Sequence, residues 1–100
     1  MKIFISNSAF SDMENIKEHY ENEGVLHIGK QFVVSIIDHI QTLSDSPDIG
    51  RKVPEFDEEK VRELIHSPFR IVYLRERNSI HIIRVWRSER LLMLSQNQRN

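Results

Sequence analysis

Phe69-Arg70-Ile71-Val72-Tyr73-Leu74-Arg75 and Ile80-His81-Ile82-Ile83-Arg84-Val85-Trp86, separated by Arg77-Asn78-Ser79, decide the fold. Both runs are rich in β-branched and aromatic residues, which suit a pleated, half-buried surface, so each reads as a strand. The short polar link makes them a hairpin. Val61–His66 reads as another strand, and Pro68 falls in the break before Phe69, where its missing N–H costs no ladder bond. Ile82-Ile83 breaks the alternation of the last strand. Two adjacent apolar residues point to opposite faces, which places that strand centrally with both faces covered.

Working outward, Ser44-Asp45-Ser46-Pro47-Asp48-Ile49-Gly50 is turn chemistry and separates the strand region from a helical half. Before it, Ile28, Phe32, Ile36, Ile40 and Leu43 recur three or four apart, thickened by Val33 and Ile37, so residues 27–44 read as an amphipathic helix. Phe10, Met13, Ile16 or Lys17, and Tyr20 give a second stripe over 8–23. Ser8 or Ser11 can cap that helix, since Ser11-Asp12-Met13-Glu14 has the capping-box spacing. Gly24 tolerates the left-handed conformation and stops it. Residues 1–6 read as a first strand, with Ile3 and Ile5 on one face, and the polar residues 95–100 as a frayed tail. The sum is one α+β domain over residues 1–100. An N-terminal strand and a two-helix hairpin pack on one face of a small antiparallel sheet built from 61–66, 69–75 and 80–86.

The composition narrows the function classes. Hydrophobic residues make up 39% and charged residues 29% of the chain, as in a soluble globular protein. With no cysteine, disulfides and thiolate metal sites are excluded, which fits a cytoplasmic location. Met1–Ser8 has no apolar stretch of the secretory kind, and no run approaches the roughly 20 apolar residues of a membrane span. The net charge of −1 hides an asymmetry. Residues 1–50 carry three Lys against eight acids, whereas 51–100 carry eleven Lys and Arg against seven. A basic half can meet phosphate or an acidic protein, although arginines on half-exposed strands are often simply solvated. His19, His27, His39, His66 and His81 have no metal-ligand spacing, and there is no Gly-rich phosphate loop or nucleophile elbow, so no metal and no cofactor are expected.

Four pieces in order resemble the RelE/ParE superfamily of bacterial toxins. They are Gly50-Arg51-x-Val53-Pro54-Glu55, Arg62-Glu63, Phe69 to Tyr73, and the arginine-rich end of the last strand. The resemblance covers most of the chain and implies the same order of elements. It implies the growth-inhibiting half of a type II toxin–antitoxin pair, of the kind that serves plasmid stabilization, with a cognate antitoxin encoded in the same operon. One branch resembles RelE, a ribosome-dependent mRNA interferase. The other resembles ParE and inhibits DNA gyrase. A third reading is a non-toxic remnant that only holds its antitoxin.

RNA cleavage needs a base, a cation for the phosphorane and a proton donor for the leaving oxygen. On the RelE-like reading, Glu55 supplies the carboxylate, and Arg62, Arg70 and Arg87 hold phosphate, arginine being the residue whose fork grips two oxygens. The donor is missing. The end of the last strand offers Trp86, Arg87 and Ser88, His81 lies too early, and Tyr73 has the character of a core residue. That gap and the Gly-Arg-x-Val-Pro-Glu-Phe run favour the ParE-like side. There, Arg51, Arg84, Trp86, Arg87 and Arg90 are the expected contacts to target or antitoxin. By period 2, Arg84 and Trp86 share a face and Arg87 lies opposite.

Overall fold

The computed structural model describes residues 1–88. The chain runs β1 (Lys2–Ile5), α1 (Asn7–Asn22), α2 (Leu26–Gln41), a 3-10 turn (Thr42–Ser44), β2 (Arg51–Lys52), β3 (Val61–His66), β4 (Phe69–Arg75) and β5 (Ser79–Arg87). The five strands form one sheet in the order β1-β5-β4-β3-β2. The pairs β2–β3, β3–β4 and β4–β5 are antiparallel, and β1 adds to β5 in parallel, so the sheet is mixed. The tail from Ser95 and Arg90 lie outside the described residues.

α1 starts earlier than the capping-box spacing predicts. Ser6, not Ser8 or Ser11, is the N-cap: its Oγ accepts the Ala9 N–H at 3.1 Å. The same hydroxyl donates to the Ile83 carbonyl at 3.2 Å, which ties the helix start to the sheet. A cap that serves two elements wins over one that serves the helix alone. The buried stripe, set by packing on the sheet, runs Ala9, Met13, Ile16, while Phe10, expected inward, is 58% exposed. Gly24 ends the hairpin's first arm with φ +80°. α1 and α2 then cross closely at Gly29, where a Cβ would lie 3.0 Å from the Lys17 backbone and 3.1 Å from Tyr20 Cβ.

The sheet has two covered faces. The helices bury Leu64, Phe69, Ile71, Tyr73, Ile80, Ile82 and Val85 against Ala9, Met13, Ile16, Ile36, Ile40 and Leu43. Each such aliphatic side chain contributes about 1.5–3 kcal/mol when fully removed from water. On the far face, the segment after β2 folds back and lays Val53 over Val61 and Val72, with Leu74, Ile83 and Trp86 packed around them. The double apolar Ile82-Ile83 has a specific cause. Val72 pairs with Arg84 but Tyr73 pairs with Ile82, so Ile83 is the extra residue of a β-bulge. The bulge resets the alternation, and Val85 rather than Arg84 joins Ile80 and Ile82 on the helix side.

Tyr73 anchors the linker between the halves. Its hydroxyl donates to the Pro47 carbonyl at 2.9 Å and accepts the Gly50 N–H at 3.0 Å. Burial pushes this phenol up from its usual pKa, against opposing effects from the Gly50 hydrogen bond and Arg62. Gly50 must be glycine for steric reasons. A Cβ there would sit 2.5 Å from Tyr73 Oη and 2.8 Å from the Glu63 carbonyl. Gly50→Ala is therefore expected to destabilise the fold by about 1–3 kcal/mol, the usual cost of overpacking. Urea unfolding of the variant beside the parent, at unchanged m-value, measures it.

Candidate functional site

β3 and β4 pair so that Glu63 lies opposite Val72 and Arg70 opposite Ile65, all on the far face. Strand alternation thus drives a carboxylate and a guanidinium into an apolar surface, and both are nearly inaccessible: Glu63 is 1% and Arg70 3% exposed. Isolated, either charge would be very costly there. They bond to each other, Arg70 Nη1 to Glu63 Oε1 at 2.7 Å. The second Glu63 oxygen accepts from Arg51 Nε at 2.7 Å, and Arg70 Nη1 and Nη2 also grip Glu55 through both its oxygens. The result is a neutral chain of four charges, Arg51–Glu63–Arg70–Glu55.

The Gly50–Glu55 segment is shaped to deliver this chain. β2 pairs Arg51 with Glu63, Val53 turns into the far-face cluster, and Pro54 brings Glu55 over Arg70. Burial alone would raise the Glu55 pKa, but the hydrogen bonds and charge of Arg70, with Arg51 behind it, hold the carboxyl below its usual range. Trp86, the cross-strand partner of Arg70, presents its ring 5.0 Å from the Arg70 guanidinium and 5.4 Å from that of Arg84. These are cation–π distances.

Arg84 is held from its other side. Asp12 on α1 accepts Arg84 Nε and Nη2, each at 2.9 Å, and the Val85 N–H at 2.8 Å. β1 covers β5 only as far as Ile82, so this carboxylate occupies the strand edge that β1 leaves bare. The bidentate contact raises the Arg84 pKa above its already high value.

The residues expected to act together are divided by the sheet. Glu55 and Arg70 meet, but bound to one another. Arg62 projects to the helix side, opposite Tyr73, and its Nη1 holds the Gly50 carbonyl at 3.0 Å. Strand alternation therefore puts Arg62 and Arg70 on opposite faces of the sheet. Arg87 also lies on the helix side, over the Phe69 ring at 5.5 Å. Arg51, Arg84 and Trp86 gather on the far face. Of the proton donors weighed in the sequence, Tyr73 gives its proton to Pro47, and His81 stacks on Phe4 at 5.1 Å near the start of β5. Sequence reasoning missed Glu63 and Asp12 as site residues. Glu63 carried a signal, an acid at an inward position between Val61 and Ile65. Asp12 carried none, because its partners are more than seventy residues away.

Arg70→Ala should be the most damaging single truncation on this face. It leaves two carboxylates, one buried, and removing one partner of a buried pair typically costs about 3–5 kcal/mol. Arg51→Ala, whose side chain is 58% exposed, should cost far less. Chemical denaturation of both variants ranks them, and equal losses would contradict the central place given to Arg70.

Among solved structures, the fold is similar to that of a chromosomal ParDE TA system from P. aeruginosa, with 22% identity, a TM-score of 0.74, and coverage of 87% of this chain and 95% of that one. No curated protein sequence matches. The family model described as ParE toxin of type II toxin-antitoxin system, parDE, matches residues 3–92, nearly the whole chain together with the Gly50–Glu55 segment, the β3–β5 core and Trp86. This chain belongs to the ParE toxin family.

Proposed function

We propose that this protein stops bacterial growth by binding and poisoning DNA gyrase, and that a cognate antitoxin from the same operon neutralises it. The observation that carries the choice of target is the closed charge chain. A nuclease needs a guanidinium open to phosphate and a carboxylate free to take a proton. Here Arg70 is buried between two glutamates, and Glu55 uses both oxygens on Arg70. Charge neutralised in this way serves the fold and leaves a surface suited to binding.

That surface is the far face and its rim. Arg51 keeps most of its side chain in solvent, Arg84 part of it, and Trp86 is half-buried between guanidinium groups. An aromatic flanked by arginines is the usual composition of a protein-binding hot spot. Phe56, exposed on the loop that crosses this face, adds apolar area. An antitoxin segment suited to it carries acids and apolar side chains and folds as it binds. Among the described residues no helix is long and apolar enough to cross a membrane.

Pulse labelling after inducing this chain alone tests the target. Thymidine incorporation should fall before methionine incorporation, and gyrase should accumulate cleaved DNA in the protein's presence. An earlier fall of methionine, with cut messenger, would return the chain to the ribonuclease reading. Loss of neither would leave only antitoxin binding. With the parent active, Arg51→Ala is expected to fold and to weaken gyrase poisoning.

A further inference from the structure

Ser35, His66 and His39 form a row between α2 and the end of β3. Ser35 Oγ lies 3.0 Å from His66 Nε2, and the Nδ1 atoms of His66 and His39 are 2.9 Å apart. The proton positions follow from the partners. Ser35 donates its one hydroxyl hydrogen to the Phe32 carbonyl at 2.9 Å, so it accepts from His66, and Nε2 carries the hydrogen. Neutral His66 then offers a lone pair at Nδ1, and His39 donates its Nδ1–H into it.

The row has the order of nucleophile, base and orienting group, but it lacks the rest of such a site. The Ser35 hydrogen is committed to Phe32, and Ser35 sits in mid-helix, where neighbouring N–H groups are bonded along α2 and none is left to stabilise an oxyanion. A metal would find two ring nitrogens, and among the described residues no group of three His, Cys, Asp or Glu is placed to hold one. What the pair can do is count protons. One added proton goes to His39 Nε2 and leaves the Nδ1–H bridge to neutral His66 in place. A second sets N–H against N–H and two positive rings side by side.

We propose that His39 and His66 are an acid-sensitive latch between α2 and β3, closed with up to one added proton and opened by the second. On α2, Asp38 is exposed beside His39. On β3, Glu63 faces the other side of the sheet. On β4, Phe69 is the cross-strand partner of His66, and Arg70 faces away. On β5, Arg87 lies over the Phe69 ring on the same side of the sheet. Burial first, and the charge of His39 second, hold His66 below the usual imidazole range. In the unfolded chain His66 titrates near about 6.5. The unfolded state therefore takes the proton first, so stability is full above neutrality and falls as pH drops through that value toward the lower folded one.

The test is an NMR titration of the intact protein's histidine ring protons, with urea unfolding between pH 7.5 and 5. His66 should titrate below the ordinary imidazole value, and stability should fall on acidification. In His39→Gln the His66 midpoint should rise and the acid loss should shrink. A His66 midpoint at or above the ordinary value in the unmodified protein overturns the latch, as does an unchanged acid loss in His39→Gln. If that variant does not fold, the unmodified protein's titration decides alone.

Discussion

Glu63 and Arg70 are the constraint around which the far half of the molecule is arranged. Two charges on adjacent strands, buried in a valine-lined face, are tolerable only when every oxygen and most N–H groups are met. One partner each is insufficient: the carboxylate has a second oxygen and the guanidinium a second amino group. Arg51 and Glu55 fill those places, and their spacing follows. They are four residues apart because the chain between them must turn Val53 into the apolar cluster and re-emerge above Arg70. Gly50 precedes them because the linker passes against the Tyr73 hydroxyl too closely for a Cβ. The Gly-Arg-x-Val-Pro-Glu signature is thus a folding signature first.

A second constraint, the bulge at Ile83, decides what the end of β5 offers to solvent. With strict alternation from Ile80, Arg84 would point into the helix-covered core. The extra residue puts Val85 there and sends Arg84 and Trp86 to the far face. The bare edge of β5 then needs a hydrogen-bond acceptor, and Asp12 supplies one while pairing with Arg84. The N-terminal acidic half and C-terminal basic half meet at this point, so part of the charge asymmetry is internal pairing.

The strands and helices were legible because periodicity is local: apolar positions two or 3.6 residues apart report a face without reference to the rest of the chain. Ile82-Ile83 correctly signalled a central strand, though it could not distinguish double coverage from a bulge, and here both hold. What could not be read locally was pairing at a distance. The parallel union of β1 with β5, the Asp12–Arg84 contact and the His39–His66 contact each join residues far apart in sequence. Phe10 shows the same limit in α1: the apolar spacing suited a stripe through Phe10, but packing on the sheet chose the one through Ala9, Met13 and Ile16.

Arg51, Glu55, Arg70, Arg84 and Trp86 stood out in the sequence, whereas Glu63, Asp12 and the arrangement did not, and the reason is chemical. Arginine and glutamate at conspicuous spacings are equally compatible with catalysis and with a buried ion chain, because both uses demand charge at fixed positions. The difference lies in what each group already holds, even though Arg62 Nε and Arg70 Nε have no hydrogen-bond partner. Arg62 is engaged with the Gly50 carbonyl, Arg70 with two carboxylates, Glu55 with Arg70, and Tyr73 with Pro47. A catalytic group must exchange partners during each turnover, and these four would release the linker or the far face in doing so. Arg51, with its side chain 58% exposed, is the member of the charge chain least enclosed by the fold.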